Sequence, residues 1–209
     1  MASSSQNQFF DSLVGKQNWC THMRLFVTGV GCIGKTTIGG KLAALLDYPF
    51  FDLDEEIETF FETSIERLQA RFLTMYSFRQ EASKALKHLL AREDSRDSVI
   101  ALPPSGLMDN YWRVVRKAGG TTIVFKDDPG NILERITFYD KDSRLIDKDL
   151  TAKEKRLHLR EIKKDITYFG RTYKRANVTV DITGLDADQA AMKVKDTVFP
   201  LLRVSSVLL

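Results

Sequence analysis

The stretch "VTGVGCIGKTT", residues 27–37, constrains the fold more than any other part of the 209-residue chain. Residues 29–36 fit the spacing G-x-x-x-x-G-K-[ST], and the apolar run "RLFVT" comes directly before them. Glycines let the backbone turn with positive φ, so that successive N–H groups point into one concave loop. A helix that begins within such a loop adds partial positive charge where a phosphate would bind. The spacing therefore predicts a strand, a phosphate-binding loop and a helix in succession.

The rest of the chain predicts a parallel α/β fold. After "RLFVT", further apolar runs typical of buried strands occur in "YPFFDLD", "DSVIAL", "TTIVFKD" and "NVTVDITG", with segments of helical periodicity between them. Five strands that alternate with helices imply a parallel sheet with helices on both faces, a three-layer α/β/α sandwich. Residues 1–22 show no clean period and are expected to form an N-terminal extension, so that residues 23–209 make up the domain.

Composition and charge argue against several classes of protein. The net charge of +3 is too small to indicate nucleic-acid binding. No run approaches the roughly 18 apolar residues that a membrane helix needs, and no basic region followed by an apolar stretch marks a secretory signal. Cys20 and Cys32 have no metal-like spacing. We therefore expect a reduced, cytoplasmic protein, a monomer, with no nucleic-acid or membrane partner.

The opening loop is expected to bind a nucleoside triphosphate, ATP, together with Mg²⁺. Lys35 would reach the β- and γ-phosphates, and the Thr36 hydroxyl would bind Mg²⁺. A GTPase would need N-K-x-D, which the sequence lacks, and the apolar run "VIAL" is followed by Pro103 rather than by the Asp usual in motor ATPases. The expected nucleotide-binding residues of the loop are Gly29, Gly31, Cys32, Ile33, Gly34, Lys35, Thr36 and Thr37.

Several segments, in order, resemble the shikimate kinase family. They are the loop and helix "GVGCIGKTTIGGKLAALL", "FFDLDEEIE" for the family's F-x-D-x-D-x-x-I-E, "TSIERL", "FRQEA" for F-R-x-x-E, "DSRLI" for the lid motif R-P-L-L, and "YKRANVTVDITG". The similarity runs from about residue 23 to residue 197. It implies a sheet of order 2-3-1-4-5, an acceptor-binding subdomain at about 55–95 and a lid at about 137–158.

Two carboxylates follow the second predicted strand. Asp52 and Asp54 lie at i and i+2, at the carboxyl end of the strand, where open α/β sheets bind ligands. Asp52 could hold Mg²⁺ through water or accept a hydroxyl proton, and Asp54 could accept hydrogen bonds from a polyol. The resemblance implies the same division, with the first Asp near the metal and the second on the substrate hydroxyls. The alternative is an acidic helix start, because carboxylates favour helix N-termini.

Three arginines match arginines of the family. Arg79 resembles the one that holds the substrate carboxylate, a task suited to a guanidinium because its fork makes two parallel hydrogen bonds. Arg144 resembles the lid arginine that closes onto the migrating phosphoryl group. Arg135 resembles the arginine that packs near the adenine. Without the resemblance, each could equally be a solvated surface charge.

One departure from the family affects the acceptor loop. The family has three glycines after its third strand, where this chain has Pro103, Pro104 and Ser105. Proline lacks an N–H group, so two donors to the acceptor are missing. We expect Ser105 and Gly106 to restore part of this contact.

A second departure affects the carboxylate site. The family has an arginine four residues before its final tyrosine, where this chain has Phe169. Arg171 lies two residues later, on a different helix face, and could replace it only if the helix ends or bends near Gly170.

The sequence thus predicts ATP- and Mg²⁺-dependent phosphorylation of a small hydroxylated acid, with shikimate as the first candidate. The catalytic residues are expected to be Lys35, Asp52 and Arg144, with Thr36 and Asp52 at the metal. The departures leave two alternatives open. One is a related kinase with a different acceptor, and the other is a nucleotide-binding regulatory protein without turnover.

Overall fold

The structure, a computed structural model, describes residues 23–204, with residues 201–204 described by their backbone alone. The expected N-terminal extension, 1–22, lies outside the described residues. The strands are β1 (Arg24–Thr28), β2 (Phe50–Asp52), β3 (Ser98–Ala101), β4 (Thr121–Lys126), β5 (Phe138–Tyr139), β6 (Leu145–Ile146) and β7 (Val178–Asp181). The helices are α1 (Lys35–Leu46), α2 (Leu53–Phe61), α3 (Ile65–Gln69), α4 (Met75–Ala91), α5 (Asp109–Ala118), α6 (Pro129–Glu134), α7 (Ala152–Tyr173) and α8 (Ala187–Val204). None of these helices combines the length and the apolar character that crossing a membrane requires.

The main sheet confirms the predicted topology. Within the described residues its five strands are parallel and follow the order β2-β3-β1-β4-β7. The strand predicted as the fifth is β7 in chain order, because the two short strands β5 and β6 precede it in a separate antiparallel pair. The P-loop α/β sandwich expected from the sequence is therefore the observed fold.

The central strand β1 serves both layers of helices. Leu25 and Val27 point into the core shared with α1, α7 and α8, whereas Phe26 points into the core shared with α2, α4 and α5. All three side chains are 0% exposed. A strand buried on both faces reads as a continuous apolar run, which explains why "RLFVT" was recognisable in the sequence.

The stretch that the resemblance marks as a lid, at about 137–158, contains a small hairpin between α6 and α7 and the first turns of α7. Phe138 pairs with Ile146 in its two-stranded sheet. The tip of the hairpin lies against α3, where the Ser64 hydroxyl donates to the Lys141 carbonyl over 2.6 Å and Arg67 pairs with Asp142 at 2.6 Å. The hairpin thus contacts the region expected to be the acceptor-binding subdomain.

Candidate functional site

The loop between β1 and α1 is closed by main-chain geometry. Gly29 has φ +157°, and a Cβ placed there would lie 3.0 Å from Cγ2 of Ile33 and 3.1 Å from the carbonyl oxygen of Phe125. Gly34 has φ +100°, a value that L side chains rarely adopt. Cys32, at φ 58°, is a non-glycine residue in the left-handed region. The loop conformation therefore depends on the two glycines of the motif.

The first turn of α1 has uncapped N–H groups that could bind an anion. Its N-cap is Gly34, no side chain in the described part of the protein caps the helix, and the first turn carries no acidic residue. The first N–H groups of a helix have no partner within it, and they carry the positive end of its dipole. Of the predicted loop residues, Gly31, Thr36 and Thr37 are exposed. The side chain of Ile33 is buried in the core, so only its main chain could contact a nucleotide.

Lys35 lies within reach of the loop and of the carboxylates. Its Nζ donates to the Val30 carbonyl over 3.1 Å. Burial lowers the pKa of Lys35, while the negative charges of Asp54 and Asp52 oppose that shift. The ammonium group is thus placed between the phosphate-binding loop and the end of β2.

Asp52 joins the loop to the second strand. Its Oδ2 accepts a hydrogen bond from the Thr36 hydroxyl over 2.6 Å, and its Oδ1 accepts one from the Asp54 N–H over 3.0 Å. The second bond makes Asp52 the N-cap of α2. The acidic helix start and a role beside Thr36 are therefore compatible, because one carboxylate both caps α2 and contacts the Thr36 hydroxyl.

Asp54 is the second carboxylate of this crevice. Its pKa is raised to about 6, mainly by burial and next by the charge of Asp52, whereas Lys35 acts in the opposite direction. Both carboxylates thus follow the carboxyl end of β2, and the charge of each acts on Lys35.

Arg79 has a partner that sequence reasoning missed. The arginine is only 8% exposed; its Nε donates to Oδ2 of Asp109 over 2.9 Å, and its Nη2 forms an ion pair with the same oxygen at 2.8 Å. Asp109 begins α5 with φ 44°, after the loop that carries the two prolines. The pair spans 30 positions of sequence, so no local pattern signals it. In the family pattern F-R-x-x-E the glutamate would correspond to Ala82, which is buried in this chain. The neighbouring Glu81 forms an ion pair with Lys84 and not with Arg79.

The acceptor loop at 103–108 is held by its own hydrogen bonds. Gly106 N–H donates to the Pro103 carbonyl over 2.8 Å, and the Thr28 hydroxyl donates to the same oxygen over 3.0 Å. The amide of Gly106 is therefore already used within the loop. Ser105 is 9% exposed, and its carbonyl accepts from Met108 N–H over 2.8 Å. Ser105 and Gly106 were expected to compensate for the prolines. Within the described residues, the N–H group of Ser105 has no hydrogen-bond partner, so it is the one that could still donate to an acceptor.

The condition for Arg171 to replace the missing arginine is not met. Helix α7 continues through Gly170 to Tyr173, so Arg171 stays on a different face from position 169 and is exposed. Phe169 stacks on Tyr173 with ring centroids 5.9 Å apart. An apolar contact thus occupies the position where the family has a charge, and the expectation that Arg171 takes its place is wrong.

The two remaining arginines differ in their surroundings. Arg135 pairs with the buried carboxylate of Asp127, whose pKa is lowered because hydrogen bonds from Asn131 and Arg135 outweigh the effect of burial. Arg144 is exposed at the hairpin tip, where its N–H donates to Asp140 over 3.0 Å. Arg135 is fixed beside the sheet, whereas the structure does not bring the Arg144 guanidinium to the phosphate-binding loop.

Tyr111, on α5, is a second residue that the sequence analysis did not select. It is 0% exposed, and its hydroxyl has no hydrogen-bond partner within residues 23–204. Burial raises its pKa, the charge of Asp54 adds to that shift, and the charge of Arg79 opposes it. Its hydroxyl therefore lies in the field of the two groups expected to contact the acceptor. A tyrosine within "NYWRVV" carries no sequence signal of this position.

Comparison with known proteins places this geometry in a family. A family model described as "Shikimate kinase" matches residues 31–198. The shikimate kinase of Chlorobium phaeobacteroides is 33% identical over 115 residues, which cover 55% of this chain and 58% of that protein. The shikimate kinase of Aquifex aeolicus is 35% identical over 115 residues, covering 54% and 65%. The chain thus spans less than two thirds of the length of these curated relatives.

Solved structures share the fold over more of the chain. The shikimate kinase of Bacteroides thetaiotaomicron superposes with a TM-score of 0.66 at 22% identity, covering 86% of this chain and 98% of that one. The Acinetobacter baumannii enzyme, solved in complex with shikimate, gives a TM-score of 0.65 at 21% identity, covering 86% and 94%. Because the family model matches most of the sequence and the site is built on the same fold, the chain belongs to the shikimate kinase family.

Proposed function

We propose that this protein transfers the γ-phosphoryl group of ATP to a hydroxyl group of a small acid, with shikimate as the first candidate. The observation that carries the proposal is the 2.6 Å contact between the Thr36 hydroxyl and Asp52, beside Lys35 and Asp54. It joins a phosphate-binding loop to a pair of carboxylates at one edge of the sheet. Family membership and the Acinetobacter relative in complex with shikimate support the choice of acceptor.

The residues of the loop fit a nucleotide and Mg²⁺. The cradle has no room for a Cβ at Gly29, and the first turn of α1 offers main-chain N–H groups to phosphate. The Thr36 hydroxyl and, through water, Asp52 would hold Mg²⁺, which prefers oxygen ligands and binds with substrate phosphates. Within residues 23–204 no group of three or more His, Cys, Asp or Glu could hold a metal alone, consistent with that sharing. Bound Mg²⁺ supplies neutralisation of phosphate charge.

The chain's own groups have distinct tasks in the transfer. The acceptor oxygen forms a bond to the γ-phosphorus while the bond to the leaving ADP oxygen breaks. Asp54 accepts hydrogen bonds from the hydroxyls of the acceptor. Asp52, which lies beside the phosphate-binding loop through its contact with Thr36, accepts the proton of the attacking hydroxyl as the new bond to phosphorus forms. Lys35 stabilises negative charge on the transferring group, and Arg144 joins it when the lid hairpin closes. Arg79 orients the acceptor, and Arg135 packs near the adenine.

Positioning and electrostatics supply most of the rate in such a reaction. We propose that the lid at about 137–158 and the acceptor subdomain at about 55–95 provide the positioning. The contacts of Ser64 and Arg67 with the hairpin tip support this proposal. We also propose a monomeric protein of a reduced, cytoplasmic compartment; the free thiol of Cys32, half-buried inside the loop, supports the reduced state.

The test is ADP production from Mg-ATP with and without shikimate, then with a panel of other polyols and hydroxy acids. Shikimate-dependent turnover is the expected result, and Lys35→Ala should abolish it. Lys41→Ala is the matched control, because Lys41 lies on the same helix but pairs with Asp188 at 2.6 Å. Turnover with another acceptor only would favour a related kinase, and tight ATP binding without turnover would favour a regulatory protein. Full activity in Lys35→Ala would refute the catalytic assignment.

A further inference from the structure

We propose that Asp109 determines acceptor specificity, because its carboxylate occupies the guanidinium of Arg79 that an acidic acceptor would need. This inference rests on the proposed function, and it names a residue outside every motif that defines the family. It predicts that the acceptor site of this chain discriminates poorly between an acid and its uncharged ester.

The ion pair between Arg79 and Asp109 has the form of a carboxylate-binding site in which Asp109 supplies the carboxylate. Two donors of the Arg79 fork, Nε and Nη2, bind one oxygen of Asp109, over 2.9 and 2.8 Å. The Arg79 side chain is 9% exposed, whereas the Asp109 side chain is 31% exposed. An incoming carboxylate that binds in the same bidentate way through Nε and Nη2 uses these same donors. An acidic acceptor therefore gains this edge of the Arg79 guanidinium only by displacing Asp109.

The backbone position of Asp109 suits an aspartate or an asparagine. It is the first residue of α5, where the helix dipole stabilises a negative side chain. Its φ of 44° lies in the left-handed region, which aspartate and asparagine tolerate better than other non-glycine residues. Asparagine can thus keep the backbone and shape of this residue while it removes the charge.

Neighbouring departures from the family remove the arginine at position 169 and two main-chain donors of the acceptor loop. Phe169 stacks on Tyr173 where the family has an arginine, and Arg171 is exposed on the unbroken helix α7. Pro103 and Pro104 lack the N–H groups that glycines would offer. Arg79 and Arg171 were the residues expected to bind the carboxylate of an acceptor. Arg171 is exposed, whereas Arg79 is buried and forms an ion pair with Asp109.

The experiment compares the binding of shikimate with that of its methyl ester, by calorimetry in the presence of Mg-ADP. For the wild-type protein we expect affinities for acid and ester within about threefold of each other. Asp109→Asn should tighten the binding of shikimate roughly 10- to 100-fold, the range for a hydrogen bond to a charged group, and leave the ester little changed. Asp94→Asn is the matched control, because Asp94 also pairs with an arginine, Arg92 at 2.7 Å, but precedes the opposite end of β3.

Two results would overturn the inference. One is a wild-type preference for the acid of 100-fold or more, a measurement that needs no variant. The other is a folded Asp109→Asn protein whose ratio of acid to ester affinity equals that of the wild type, or that binds no shikimate. The proposed function fails separately, by lack of ADP production with every acceptor. Circular dichroism and thermal melts establish that each variant is folded.

Discussion

Helix α1 contains two adjacent glycines, and the structure predicts opposite effects for their replacement by alanine. A Cβ on Gly39 would lie 2.7 Å from Cε2 of Phe50 and 3.3 Å from Cγ2 of Val27. A Cβ on Gly40 would meet Cδ1 of Phe50 at 3.9 Å, an ordinary contact. Gly39→Ala should therefore destabilise the protein relative to Gly40→Ala.

The size of the difference follows from two terms. Alanine in a helix interior is favoured over glycine by about 1 kcal/mol, and this term is common to both variants. Carbon atoms pack at about 3.5–4.0 Å, so a Cβ on Gly39 forces the Phe50 ring to move by about 1 Å. Overpacking of this kind costs about 1–3 kcal/mol. We expect Gly40→Ala to raise the free energy of unfolding by about 1 kcal/mol, and Gly39→Ala to lie about 1–3 kcal/mol below it.

Urea denaturation of both variants measures this difference directly, because the helix term cancels. Phe50→Leu provides the background control, since it removes the ring that Gly39→Ala would displace. In that background the gap between the two alanine variants should shrink. Equal stabilities of the two variants beside an intact Phe50 would refute the reasoning. A displaced Phe50 would also affect the position of Asp52 at the candidate site, because both residues belong to the three-residue strand β2.

Two further predictions concern α7 and α5. Glu154 has its pKa lowered from 4.5 to about 2 by hydrogen bonds from Lys148 and Thr151, so its contribution to stability is complete above about pH 4.5 and is lost as the pH falls through 2. The melting temperatures of wild type and Glu154→Gln should therefore converge over that range, and a constant difference would contradict the assignment. Tyr111→Phe removes a buried hydroxyl without a partner in the described residues, so urea denaturation should show stability unchanged or raised by about 1 kcal/mol. A loss of similar size would show that the hydroxyl is satisfied.

The sequence was sufficient for the central strands of the main sheet, because β1, β3 and β4 are largely buried runs with a turn signal beside each. Parallel strands covered on both faces need such runs, and the phosphate-binding loop fixes which run is the first. The hairpin β5–β6 was not predicted, since two-residue strands in a charged stretch have no periodicity to detect. Its position within the expected lid came from the resemblance alone.

At the candidate site, the sequence predicted the local arrangement and missed the long-range contacts. The position of Asp52 and Asp54 directly after the second strand placed both at the carboxyl edge of the sheet, because all parallel strands end at the same edge. The pairing of Arg79 with Asp109 depends on how α4 packs against α5, and no local pattern encodes that packing. Arg171 failed as a substitute because Gly170 does not end the helix, and glycine within a helix lowers its stability without necessarily stopping it.

The burial of β1 on both faces determines under which conditions the phosphate-binding loop unfolds. A strand enclosed by two cores exchanges its amide protons only when the whole domain opens, because no smaller unit can release it. The anchor of the loop therefore has the stability of the entire molecule, whereas the hairpin at the other side of the crevice is held by a few surface contacts. Heating or denaturant would thus disturb the hairpin β5–β6 well before it disturbs β1 and the loop that follows it.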